Sequence, residues 1–199
     1  MLKNDTVYWF PMRIRNSSVS RLNELKKRFD SLNDVSIETY IPLRFIRVAE
    51  DKMDFAPVLL NYIFVHSSYT DLLQVKGNHE YFEPLRFVMH PVYDENYCVR
   101  DEILTVPDRM MSNYMRLTQE QNDKVIFLNN IDYACRPSQP VQIVEGQFAG
   151  IAGRIKRIGG NRCVVMPVIN NEMAIGVMDV PRSHLRYLSE SEFQELTTA

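Results

Sequence analysis

The chain has 199 residues, of which 45% are hydrophobic, 24% charged and 11% aromatic, with a formal net charge of -2 and a pI near 6.1. That length suits one ordinary domain or two small ones, and the composition excludes a disordered chain. The near-neutral charge argues against nucleic-acid binding spread over the whole surface and leaves room for a local basic face.

The first residues lead straight into a strand-like run without a signal-peptide core, and no stretch approaches the roughly 20 apolar residues of a membrane helix. A cytoplasmic protein without a membrane partner is therefore expected. From residue 7 to 15, Tyr8, Phe10, Met12 and Ile14 alternate with Trp9, Pro11, Arg13 and Arg15, which predicts a strand with one apolar face, and Pro11 favours an edge or a bulge. Asn16, Ser17 and Ser18 offer N-caps for a helix whose stripe is Leu22, Leu25, Phe29 and Leu32. Strand-like runs follow at 35–48 and 58–66, then a short helix near 69–75 and a strand near 85–90. Thr105 and Asp108 have capping-box spacing around Pro107, and Met110, Met111, Tyr114 and Met115 form a stripe, so a helix is predicted from Pro107. The order β-α-β-β-α-β-α suits a ferredoxin-like α+β sandwich, whose helices cover one face of an antiparallel sheet and leave the other free.

Of seven glycines only Gly77 lies before residue 146, whereas sixteen of twenty-one aromatics lie before residue 116. This composition shift, with the two prolines at Pro137 and Pro140, predicts an α+β domain over 5–118 and a linker over 119–139. A small β barrel of SH3-like size over 140–188 and a tail over 189–199 complete the chain. The apolar island at 125–128 predicts a short strand that docks part of the linker. In the barrel, strands are expected at 141–144, 153–158, 163–169 and 173–180, with turns at Gly159-Gly160 and Asn170-Asn171.

Cys98, Cys135 and Cys163 are far apart and contain no Cys-x-x-Cys pair, and the four histidines lack metal-ligand spacing, so neither a disulfide framework nor a metal site is indicated. No nucleophile elbow, P-loop ending or metal motif appears, which points away from an enzyme and from any cofactor. A ferredoxin-like sheet carrying Tyr62 and Phe64 also suits an RNA-binding module of a ribosome-associated or RNA-processing protein. Against that reading, Asn61 to Val65 lacks the preceding Lys/Arg-Gly, and residues 1–115 hold fourteen Lys or Arg against sixteen Asp or Glu.

The segment Val141-x-Ile143-x-x-Gly146-x-Phe148-Ala149-Gly150-x-x-Gly153-x-Ile155 resembles the KOW motif, with Val141, Ile143, Phe148 and Ile155 as barrel core and glycines at the turns. A KOW barrel behind an α+β domain is the arrangement of NusG-type transcription elongation factors, which open with a NusG amino-terminal (NGN) domain. Trp9-Phe10-x-Met12-Arg13, Tyr40-Ile41-Pro42, Pro57 to Val65 and Phe87-Val88 are similar to that family's pattern. The chain departs from it in Leu59-Leu60, in Asn61 and in Asn16-Ser17-Ser18. Those departures, with Val65-His66 and Val106 to Met111, resemble the specialised UpxY-type antiterminators of Bacteroides capsular polysaccharide operons.

The resemblance implies transcription antitermination. The first domain is expected to bind the clamp helices of RNA polymerase through Trp9, Phe10, Tyr40, Pro42, Leu59, Leu60, Tyr62 and Phe64, while the KOW domain meets a second protein, such as a ribosomal protein. Leu59 and Leu60 are adjacent on the predicted strand, so both cannot face the same core, and the one on the helix-free face is expected to form a sticky patch. Arg13, Arg15 and Arg21 are expected to gather at one corner and contact the non-template DNA strand by charge and stacking.

Overall fold

Alternation along the first strand decides the architecture of the amino-terminal half. The computed structural model describes residues 6–32, 37–49, 52–93, 97–119, 123–129, 138–169 and 173–198, and divides into two units, Met1–Val106 and Pro107–Ala199. In the first unit, β1 (Val7–Ile14), β2 (Glu38–Tyr40), β5 (Tyr62–Ser68) and β6 (Leu85–Phe87) form an antiparallel sheet in the order β2-β5-β1-β6. Two helices, α1 (Val19–Asp30) and α2 (Tyr69–Asn78), connect β1 to β2 and β5 to β6. This is the split β-α-β order, with the two crossover helices feeding one core.

That core takes Phe10, Met12 and Ile14 from β1, Ile63 and Val65 from β5, Leu22, Leu25 and Phe29 from α1, and Leu72 and Val75 from α2. Ser18 caps α1 by accepting the Arg21 amide at 3.2 Å, and Ser68 caps α2 by accepting the Asp71 amide at 3.0 Å. Burying these ten side chains, at roughly 1.5–3 kcal/mol each, is what holds the helices on the sheet.

Pro11, expected at an edge or bulge, instead lies in a central strand. Trp9, two residues before it, gives its carbonyl to the Val106 amide at 2.9 Å, so Pro11 turns its missing N–H toward the same side. There β6 pairs only with Met12 through Ile14, and the ladder asks no donor of residue 11. Two hairpins extend the unit: β3 (Leu43–Ala49) with β4 (Lys52–Pro57), and β7 (Met89–Tyr93) with β8 (Val99–Ile103). The predicted run over 35–48 is therefore a short edge strand of the sheet and the first arm of a hairpin, with its opening residues outside the described ones. The run predicted over 58–66 begins later, because residues 58–61 are a turn.

The second unit is a six-stranded antiparallel sheet. Its members are β9 (Val125–Asn129), β10 (Pro140–Ile143), β11 (Ala152–Ile158), β12 (Asn161–Ile169), β13 (Met173–Met178) and β14 (Leu185–Tyr187), in the order β14-β10-β11-β12-β13-β9. The apolar island at 125–128 thus becomes an edge strand on β13, while residues 120–122 and 130–137 of the expected linker, and the Asn170-Asn171 turn, lie outside the described residues.

Two differences from the sequence reading concern helices. α3 (Asp108–Gln119), expected to close the first domain, packs on β12: Tyr114 Oη donates to Met173 Sδ at 3.2 Å and Arg116 to the Ala149 carbonyl at 2.8 Å. Its buried stripe is Met111, Tyr114 and Leu117, a slightly rotated version of the expected one. The residues after 188, expected to be a tail, form α4 (Glu190–Thr198), which buries Phe193 against Ala152 and Leu188. Ser189 and Glu192 close a reciprocal capping box, with the Glu192 amide donating to Ser189 Oγ and the Ser189 amide to the Glu192 carboxylate.

Candidate functional site: an aromatic sheet face and a glycine-turned loop

The register of β1 against β5 stacks three cross-strand pairs on the face that α1 and α2 do not cover. They are Trp9 with His66, Pro11 with Phe64, and Arg13 with Tyr62. The Trp9 and His66 rings are stacked, with centroids 4.6 Å apart and planes at 13°. Arg13 donates from Nε and Nη2 to Tyr62 Oη at 3.0 and 2.7 Å and lies over the same ring. On β2, Tyr40 stands opposite Phe64, and Glu38 stands opposite His66 with 3.8 Å between its carboxylate oxygen and His66 Nδ1.

Burial sorts the residues that the sequence grouped together. Trp9, Tyr62 and Phe64 are enclosed, at 5%, 1% and 0% exposure. Pro42 and Leu59 are also buried, and Tyr40 is half-buried. Leu60 is 46% exposed, at the turn that delivers the chain into β5. Phe10 does not belong to this face. It points into the helix-covered core, edge-on to Phe87 at 5.7 Å, because neighbours on a strand project to opposite sides. The two leucines do show opposite burial, but as turn residues rather than by strand alternation.

The three arginines do not form one cluster. Arg13 is committed to Tyr62 on the sheet face. Arg15 gives its backbone amide to the Pro84 carbonyl at 3.3 Å, and Arg21, on the first turn of α1, lines a groove of about 340 Å³ that also borders Pro84. Arg15 and Arg21 thus flank the 80–84 loop, while Arg13 is turned elsewhere. The same groove holds an element with no short-range signal in the sequence: Arg28 lies 4.3 Å over the Tyr81 ring, which stacks in turn on His79. Glu24 accepts from Arg28 and holds that guanidinium above its already high ordinary value. Arg86 similarly holds the Glu83 carboxyl below the usual carboxylate range. Spacing alone cannot bring 28 next to 81.

In the second unit, residues 141–155 fold as strand, glycine-turned loop and strand. Val141, Ile143 and Phe148 are buried, and the loop closes through the Gly150 amide to the Ile143 carbonyl at 2.7 Å, with Gly146 and Gly150 at φ of +81° and +92°. Ala149 accepts from Arg116. Gly153 is required for a different reason, since a Cβ there would meet the Val165 carbonyl oxygen at 2.7 Å. Ile155, expected in the barrel core, is half-buried and borders a surface groove.

Among the described residues, no group of three His, Cys, Asp or Glu is placed to hold a metal, and no helix is long and apolar enough to cross a membrane. No protein-family model matches the chain, and no curated protein matches it. Among solved structures the chain is similar to one described as "Domain interaction in Thermotoga maritima NusG", at 17% identity and a TM-score of 0.43, over 94% of this chain and all of that one.

Proposed function

We propose that this chain is a non-enzymatic transcription elongation and antitermination factor of the NusG type, working in the cytoplasm without a cofactor. One observation carries the reading: the KOW-like residues 141–155 fold as the strand, glycine loop and strand their pattern calls for, behind a unit with the split β-α-β strand order. The strands of the second unit after β9 run last, first, second, third, fourth across the sheet, with a short 3-10 turn at Arg182–His184 before the last, as in SH3-like barrels.

In this reading the first unit docks on the clamp helices of RNA polymerase, an apolar recognition of helices by a shaped surface. Leu60, the exposed apolar tip, makes contact, and the enclosed Trp9, Tyr62 and Phe64 hold the surface that presents it. Arg15 and Arg21 then meet the non-template DNA strand once docking has raised its effective concentration. The second unit meets a protein partner of its own, and the departures at 59–61 favour a specialised factor serving a capsular or exopolysaccharide operon. The RNA-recognition alternative is disfavoured because Tyr62 and Phe64, which would have to stack on bases, are buried.

The test is capture of RNA polymerase core by the full chain and by Leu60→Glu. Since Leu60 is already half-exposed, the variant should fold with a stability loss of about 1 kcal/mol or less, yet lose polymerase binding at least tenfold. Equal capture by a folded Leu60→Glu protein removes this surface from the account.

A further inference from the structure

The hairpin of β11 and β12 turns on Gly159-Gly160, both with positive φ (+57° and +86°), the geometry of a two-residue type I′ turn. Such a turn leaves no freedom of register. It sets Ile158 opposite Asn161 and therefore Arg157 directly opposite Arg162. Like charges in that position repel. The nearby Arg182, on the 3-10 turn, completes a groove of about 290 Å³ lined by Ile155, Arg157, Gly160, Arg162, Arg182 and Tyr187. Among the described residues, no carboxylate lines it.

Neighbouring arginines are neutralised locally. Arg154 is paired with Glu190 at 2.5 Å and Arg186 with Glu192 at 3.9 Å. The groove arginines have no such partner among the described residues. Arg162 donates from Nη2 to the Val180 carbonyl at 3.2 Å, and its buried Nε–H has no acceptor. A guanidinium carries five donors, so this one is far from satisfied. The second unit as a whole, residues 107–199, holds ten Lys or Arg against ten Asp or Glu, so the positive charge is local to the groove. At the rim, the Tyr187 ring is 56% exposed.

We propose that this groove binds a single-stranded nucleic acid, with a phosphate among Arg157, Arg162 and Arg182 and the adjoining base stacked on Tyr187. The guanidiniums supply the charge and planar donor geometry that phosphate oxygens accept. The exposed ring is what separates this ligand from an acidic peptide, because every base offers a face to stack and a carboxylate does not. The site lies on the other unit from Arg15 and Arg21.

The experiment is fluorescence anisotropy with a labelled 12-residue oligouridine and the matching oligodeoxythymidine, using the full chain in the Arg15→Ala/Arg21→Ala background so that the first unit's arginines do not contribute. Arg157→Gln/Arg182→Gln should weaken binding at least tenfold and flatten the slope of log K against log[salt] by about 1.4, from two lost contacts at about 0.7 each on a single strand. Tyr187→Ala should weaken it at least fivefold while Tyr187→Phe binds as the parent does. Photocrosslinks from 4-thiouridine should map to the peptide containing Tyr187. A preference for RNA or DNA would name the source of the strand. An unchanged affinity and salt slope in the double glutamine variant overturns the proposal, as does uridine monophosphate competing as strongly as the 12-mer.

Discussion

Gly153→Ala tests the glycine pattern on which the barrel reading depends. The added methyl would lie 2.7 Å from the Val165 carbonyl oxygen, 2.9 Å from the Val165 carbonyl carbon and 2.9 Å from Val164 Cγ1. Two of those atoms are backbone and cannot rotate away, so β11 and β12 must part locally and stretch the ladder that joins Arg154 to Val165. Overpacking of this kind costs about 1–3 kcal/mol, offset by about 0.4–1 kcal/mol from the smaller freedom of alanine in the unfolded chain. A net loss of about 1–2 kcal/mol should speed opening of the β10–β13 amides roughly 5- to 30-fold in native-state hydrogen exchange. Gly77→Ala is the matched comparison. There a Cβ meets nothing within 4 Å, on a helix, so the same substitution should stabilise by a few tenths to about 1 kcal/mol. Unchanged protection across β11 and β12 in Gly153→Ala would show that the close approach is not what requires glycine.

Tyr62→Phe should lower the urea midpoint followed by Trp9 fluorescence by an amount worth about 0.5–1.5 kcal/mol. It removes the acceptor of both Arg13 bonds, though the exposed guanidinium regains water. The docking of α4 should weaken in acid. Glu190 is held below the usual carboxylate range chiefly by its bond from Arg154, and Glu192 chiefly by the Ser189 amide. Depressed folded-state values mean that this stabilisation is present above the unfolded carboxylate pKa of about 4.3 and is lost as pH falls through the lower folded values. Proton spectra of Phe193 should follow the loss as pH is lowered below about 4.3, and Glu190→Gln should shrink the change. A Phe193 environment constant over that range would refute the tether.

What could be read in the sequence was what a short window determines. The β1 alternation, the Leu22, Leu25 and Phe29 stripe, the Ser18 cap and the glycine loop at 146–153 each depend on residues within a turn or two of one another, and each appears in the structure as a local fact. Neither Tyr114 reaching Met173 nor Phe193 reaching Ala152 has a local signature, so the packing of α3 and the docking of α4 are not visible in a short window. The same limit governs the candidate sites. Alternation already puts Phe10 and Trp9 on opposite faces of β1, but only the pairing with β5 shows which side chains surround each of them. Arg13, Arg15 and Arg21 look like one cluster because they are close in sequence, yet Tyr62 claims the first. Conversely, Arg157, Arg162 and Arg182 span 26 positions and meet only because a two-glycine turn and a 3-10 turn return the chain to the same place. A window of sequence therefore groups arginines that the fold separates, and separates arginines that the fold brings to one groove.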